Sequence, residues 1–212
     1  MRLEGMEVVN GSRLRQVAVV PGEELPMLLI AQLADPGLVV YYDEAMPAGM
    51  EQALSVHAPE IDFPQLGPLL QVLKSQDIDP QVGHYKTYMF PSQPEVQNDV
   101  ICIAKNDPAI RAFGFDGFAE HVYAIQKNDA VVSACVSARE NAECGEAWVY
   151  TSPDHRHQGL AQKVVNAWAG SLIDAGKIPL YSHKIENSAS ANLAARLGLQ
   201  PVFEEITLSS QV

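Results

Sequence analysis

The residues with the clearest chemical capacity lie in one run, Thr151, Ser152, Pro153, Asp154, His155, Arg156, His157, Gln158, Gly159, Leu160, Ala161. A strand-like pattern ends at Thr151 and a helical one begins at Leu160, so the run joins a strand end to a helix start. The first N–H groups of a helix have no acceptor inside it, and the helix dipole makes that end partly positive, so such a junction suits the oxygens of a phosphate. Gly159 lets the main chain approach a ligand closely, and Arg156 sets a cation beside it. A capped strand-to-helix turn with no ligand reads the same at this level, because Arg-x-x-Gly-x-Ala is short enough to recur by chance. His155 and His157 stand two residues apart with no third ligand. They predict phosphate contact or solvation rather than a zinc site, and no metal is expected.

The elements that must position this run are legible around it. From Leu160 to Ala175, apolar residues fall at Leu160, Ala161, Val164, Val165, Trp168, Leu172 and Ile173, and Gly176 with Lys177 closes the pattern, which predicts a helix. Ahead of it, His121 to Gln126, Ala130 to Ala138 and Glu143 to Thr151 read as strands. They are separated by Lys127-Asn128-Asp129 and Arg139-Glu140-Asn141, both good hairpin chemistry. Val100 to Ala104 is a further strand, whereas Phe113, Phe115 and Phe118, interrupted by Gly114 and Gly117, fit neither period. After the helix come a strand at Ile178 to Ser182, a helix at Asn187 to Leu197 ended by Gly198, and a strand at Pro201 to Leu208. The order ββββαβαβ predicts an α+β domain over residues 99–212, a mixed, mostly antiparallel central sheet flanked by helices.

Residues 1–98 differ in kind. They hold ten of the 14 prolines and carry 5 basic against 13 acidic side chains, a net charge of −8 out of −12 for the 212 residues. Each proline lacks an N–H and restricts its predecessor, so the elements of this additional α/β region must be short. The pattern predicts a helix at Leu25 to Leu33, a strand at Leu38 to Asp43, helices at Ala48 to Val56 and Phe63 to Ser75, a strand at Tyr85 to Phe90, and a linker from Pro91 to Asn98.

Composition excludes several roles. The acidic balance, with no Lys/Arg cluster, argues against nucleic acid as a partner, since that affinity comes from cations displacing counterions. No apolar run approaches the roughly 20 residues of a spanning helix, so no membrane role is expected. Met1 to Asn10 carries Glu4 and Glu7 and lacks the apolar core of a signal peptide, which predicts a cytoplasmic protein. Cys102, Cys135 and Cys144 are odd in number and show no Cys-x-x-Cys spacing, and they are expected as buried free thiols.

Residues from about Ala147 to Leu199 resemble the GNAT superfamily of acyl-CoA-dependent N-acyltransferases. The family signature Arg/Gln-x-x-Gly-x-Gly/Ala is matched by Arg156, His157, Gln158, Gly159, Leu160 and Ala161. A second family element, a strand followed by Asn and a helix ending in Leu-Gly, is matched by Pro179 to His183, Asn187, Ser190, Leu193 and Leu197-Gly198-Leu199. The hairpins upstream extend the resemblance to roughly Asp99–Val212. It implies a GNAT-like fold with acetyl-CoA as co-substrate, its pyrophosphate on the backbone of Arg156 to Ala161. Its pantetheine arm would lie along Trp148, Val149, Tyr150 and Thr151 like an added strand. Val149 would offer an N–H to the thioester oxygen, and Asn187 and Ser190 would touch the arm or the adenosine side, unless they only cap their helix.

The resemblance also frames the chemistry. An amine must lose a proton to a base; Glu146 stands where related enzymes commonly place a Glu, on one strand face with Trp148 and Tyr150, and His183 is the second candidate. Many members carry a Tyr seven residues after the motif Asn to protonate the departing thiolate. Here that position is Ala194, leaving Tyr181, Ser182 and His183 as substitute donors. The expected function is transfer of an acetyl group to a primary amine by direct attack in a ternary complex. The alternative is a non-catalytic acyl-CoA sensor or accessory protein that keeps the cradle, and plain nucleotide binding is a third reading. The N-terminal region is expected on the acceptor side, where its negative charge favours a cationic small-molecule amine. Many members dimerise, and exposed sheet edges would allow a homodimer.

Overall fold

The computed structural model of the chain describes residues 2–3, 6–9, 13–16, 26–33, 37–58, 62–104, 107–111 and 121–209. The phenylalanine cluster at Phe113, Phe115 and Phe118 lies outside them. The chain divides into two compact units, residues 1–86 with 202–212, and residues 87–201.

The first unit contains strands β1 (Arg2–Leu3), β2 (Met6–Val9), β3 (Arg13–Gln16), β4 (Leu28–Leu33) and β5 (Leu38–Asp43), helices α1 (Ala48–His57) and α2 (Gly67–Ser75), and the start of β6 (Gln81–Met89). The final strand of the chain, β12 (Gln200–Ser209), contributes from Val202 onward. β4 pairs antiparallel with β5 on one side and with β12 on the other, Leu28 facing both Tyr42 and Leu208. The helix expected at Leu25 to Leu33 is therefore a strand over Leu28–Leu33. Leu28, Leu29, Ile30 and Ala31 are all buried, and an unbroken apolar run of that length has no period to separate a core strand from a core helix. The helix expected from Phe63 begins at Gly67, with a proline in its first turn, and it is apolar on the side that supplies Leu69 and Leu73 to the core.

The second unit holds the end of β6, β7 (Ile101–Ala104), α3 (Pro108–Arg111), β8 (His121–Lys127), β9 (Ala130–Glu140), β10 (Cys144–Thr151), α4 (Leu160–Asp174), β11 (Ile178–Lys184) and α5 (Ser188–Arg196). Strands β7, β8, β9 and β10 pair antiparallel in sequence order, and β10 pairs parallel with β11 across the α4 crossover. Asn128 and Asp129 adopt positive φ in the β8–β9 turn, as a two-residue hairpin demands.

Trp168 on α4 anchors the core, 1% exposed, with its indole N–H donating to Ser137 Oγ on β9 at 2.9 Å. Val164, Val165 and Leu172 of α4 join it against Ile125, Val132, Cys135 and Tyr181. The segment expected as a linker is strapped along α4: Gln93 donates to the Gly170 carbonyl and to Asp174, Asn166 donates to the Glu95 carbonyl, and Lys163 bonds Asp99 at 2.6 Å. The boundary expected at residue 98 thus lies inside the second unit.

Cys135 and Cys144 are buried, but Cys102, expected buried, is exposed. It lies on β7, the outermost strand of its sheet, where Ile103 turns into the core beneath α3 and its strand neighbours do not. No described helix is long and apolar enough to cross a membrane.

Gly145 is a tight approach between β10 and α4, because a Cβ there would sit 2.8 Å from Leu172 Cδ1 and 3.3 Å from Ser137 Oγ. Gly145→Ala should therefore destabilise the protein by about 1–3 kcal/mol through overpacking, read as a lower urea midpoint with an unchanged slope.

Candidate functional site

Two features meet at the end of β10. The first is a parting of strands. Registration between β10 and β11 covers Cys144 with Ile178, Gly145 with Pro179 and Glu146 with Leu180, and there it stops. β10 runs on to Thr151 and β11 to Lys184. On its other side β10 stays paired with β9 through Thr151, with an irregularity between Glu146 and Ala147 where Ala138 of β9 is the extra residue. Main-chain groups of alternate β10 residues from Ala147 to Thr151 thus face a cleft instead of a partner strand. Val149 lies in this stretch with its side chain packed into the core, so its backbone borders the parting while its side chain helps hold the strand to α4.

The second feature is the loop into α4. Ser152 starts a single 3₁₀ turn, Pro153–His155, and the chain then swings through His157 at φ +61° and Gly159 at φ +75°. No side chain caps α4. Among the described residues, the N–H groups of residues 157–162 have no acceptor. Space beside Gly159 is open, with nothing within 4 Å of where a Cβ would be. Arg156 is exposed, its Nε donating to the Thr151 carbonyl at 3.1 Å and its guanidinium 5.9 Å from the Tyr150 ring centroid. Gln158 accepts from Lys127 Nζ at 2.7 Å, which brings a second cation to the loop. His155 Nδ1 is buried without a hydrogen-bond partner. These donors, cations and open space suit a phosphate group, and sequence reasoning missed Lys127 because it arrives from the β8–β9 turn, distant along the chain.

The proton-transfer candidates lie on two faces of the sheet. Glu146 is 6% exposed and takes two bonds on Oε2 from Arg139, at 2.9 Å from Nε and 2.7 Å from Nη2. The guanidinium meets a charge that burial would otherwise penalise. Trp148 and Tyr150, on the same strand face, are 42% and 41% exposed. On the opposite face, Tyr181 is buried in the core with its hydroxyl 3.5 Å from the Ser190 carbonyl, and burial pushes its phenol up to about 12. His183 is also buried, with Nδ1 2.8 Å from the Lys184 carbonyl and Nε2 3.4 Å from the Tyr88 hydroxyl. Ser182 shares a hydrogen bond with Thr87 at 2.8 Å.

Asn187 caps α5, its side chain accepting from the Ser190 N–H at 3.0 Å, which commits its oxygen to the helix. Ala194 is 1% exposed within the same core as Tyr181. Among the described residues no group of three or more His, Cys, Asp or Glu is placed to hold a metal. A cavity of about 570 Å³ lies towards the far end of α4, lined by Ser137, Glu140, Ser171 and Lys177 among others. Its polar groups bond one another: Ser137 with Glu140 at 2.5 Å and Lys177 with Glu140 at 2.7 Å.

Two tests follow from this geometry. Arg139→Met alone should cost about 1–3 kcal/mol, because Glu146 remains buried without its counter-charge, and adding Glu146→Gln should recover most of the loss in denaturant unfolding. Tyr181 has a folded-state value above its ordinary 10.0, so the stability linked to its neutral form is whole below pH 10 and is lost as pH rises towards 12. The pH–stability curve of Tyr181→Phe should lack that decline.

Comparison with known proteins gives the same frame. Over 96 residues the chain is 31% identical to the uncharacterized N-acetyltransferase YdfB of Bacillus subtilis (strain 168), covering 45% of this chain and 36% of that protein, so it spans about a third of the relative's length. The fold of a functionally unknown conserved protein from Staphylococcus epidermidis ATCC 12228 matches over 99% of this chain and 95% of that one, with a TM-score of 0.57 at 12% identity. A GCN5-related N-acetyltransferase from Sphaerobacter thermophilus matches over 86% and 76%, with a TM-score of 0.51 at 13% identity. The family model for GNAT acetyltransferases matches residues 116–206, which span β8 to β12 and hold both the parted strands and the uncapped helix start. That stretch of the chain is a GNAT acetyltransferase domain.

Proposed function

We propose that the protein is an N-acetyltransferase that moves an acetyl group from acetyl-CoA to a primary amine by direct attack in a ternary complex. The observation that carries this reading is the succession of two features on one piece of chain: β10 leaves β11 after Glu146 and then leads, through the loop of residues 152–159, into the uncapped N-terminus of α4. The N–H groups of residues 157–162, with Arg156 and Lys127, would hold the pyrophosphate, and the exposed edge of β10 would pair with the amides of the pantetheine arm. The Val149 N–H would meet the developing charge on the thioester oxygen. Asn187 keeps its amide nitrogen for the arm while its oxygen caps α5. The acidic excess of the whole chain favours a cationic acceptor by raising its local concentration.

Ala194 favours a second reading, a sensor or accessory protein that binds acyl-CoA without turning it over, since no phenol can stand at that buried position.

Isothermal titration with acetyl-CoA, paired with thiol release over a panel of primary amines, separates the two. The transferase reading expects micromolar binding and thiol release that depends on the amine; binding with no release for any amine would leave the sensor. Gly159→Asp, which puts a carboxylate where the pyrophosphate would lie, should weaken binding at least about 100-fold, whereas Gly159→Ala should show the smaller effect of backbone strain alone. A wild type that binds no acetyl-CoA would remove both readings.

A further inference from the structure

We propose that Tyr88 is a catalytic residue, working with His183 as a shuttle that carries the proton from the attacking nitrogen to the departing sulfur. This rests on the transferase reading above.

Tyr88 comes from β6 and His183 from the part of β11 that has already left β10, three residues beyond the last registered pair at Leu180. Their rings stack with centroids 5.5 Å apart and planes at 23°, and the phenol hydroxyl is 3.4 Å from Nε2. The other imidazole nitrogen is 2.8 Å from the Lys184 carbonyl oxygen. A carbonyl only accepts, so Nδ1 carries the proton of the neutral ring and Nε2 turns its lone pair towards Tyr88. At 6% exposure and beneath the stack the ring has little access of its own, so the proposed path runs through Tyr88. A hydrogen bond of this length is ordinary for catalytic groups before substrate tightens them.

The neighbours narrow the choice. Tyr181 is 2% exposed with its hydroxyl turned to the Ser190 carbonyl, Ala194 has no donor, and Glu146 is engaged with Arg139 on the opposite face. Tyr88 is only half-buried, and the shuttle requires its hydroxyl to meet a molecule held between the parted strands. Among the described residues, the titratable side chains facing the imidazole are Tyr88 on β6 and Tyr181 on β11, whose ring lies 6.5 Å away.

The step balances without any further reactant. The nitrogen–acyl carbon bond forms and the carbon–sulfur bond breaks. The surplus proton on nitrogen passes to the Tyr88 oxygen as the phenolic proton passes to His183 Nε2, giving an imidazolium whose Nδ1–H remains on the Lys184 carbonyl. The reverse pass through Tyr88 places the proton on the thiolate and returns the ring to neutral.

Amine-dependent thiol release by the full chain tests this, using Tyr88→Phe, which keeps the stacked ring, together with His183→Gln and the double variant. Tyr88→Phe should lower kcat about 100-fold while acetyl-CoA affinity, measured by titration, is unchanged. The double variant should be no worse than the poorer single, because both residues lie on one proton path. Tyr88→Phe with kcat within about twofold of wild type, or losses that multiply in the double variant, would overturn the shuttle alone. A wild type that binds acetyl-CoA but releases no thiol with any amine would overturn the transferase reading and the shuttle with it.

Discussion

A strand edge has to find hydrogen-bond partners, and the registration of β10 with β11 ends at Glu146 although β10 runs on to Thr151. Its origin is mechanical. The two strands run parallel, so a crossover helix must link them, and α4 packs so closely at Gly145 that Leu172 stands where a side chain would otherwise be. In the same stretch the two strand starts keep three residue pairs in register. Beyond it, the extra residue of β9 at Ala138 bends the sheet next to Glu146, and the strands separate. Because only the loop of residues 152–159 lies between the end of β10 and the start of α4, the cleft and the uncapped helix start follow one another along one chain segment. A long ligand with phosphate at one end and amides along its length matches that geometry as a whole.

The parting also sorts the chemistry by face. Glu146, Trp148 and Tyr150 project to one side, and Tyr181 and His183 to the other, where α4 and α5 pack. Burial without compensation would be costly for either set, and each is compensated differently. Glu146 is held by a guanidinium, His183 by a carbonyl and a phenol, and Tyr181 by staying neutral. Ionic pairing engages Glu146, whereas the carbonyl on His183 fixes its tautomer and leaves Nε2 facing the Tyr88 hydroxyl.

The strand-to-helix junction, the α4 helix and the three antiparallel strands before it were legible because each depends on local pattern: period two, period 3.6, turn residues and a helix stop. β4 was not, since Leu28 to Ala31 is apolar throughout and only its two partners, β5 and β12, decide what it becomes. The strap of residues 93–99 along α4 looked like a linker because its bonds are made by scattered polar side chains that have no period. At the candidate site, the strand-to-helix junction could be read from Arg156 to Ala161, whereas the contacts of Lys127, Arg139 and Tyr88 could not. Each reaches its partner across the sheet or from a turn, and nothing in their local sequence announces the meeting.

The place of β12 bears on how the chain is made. β4 needs β12 along one whole edge, Leu33 beside Phe203 and Leu28 beside Leu208. A ribosome adding about 5–20 residues per second takes roughly 10–30 s to pass from one strand to the other. For that interval a strand buried on both sides in the finished fold waits with an apolar face and an open edge, while residues 87–201 can emerge and close on themselves. β12 completes the unit to which β4 belongs, so a nascent chain stalled before residue 202 would carry a finished acetyltransferase-fold unit behind an incomplete one, the form that chaperones and proteases select.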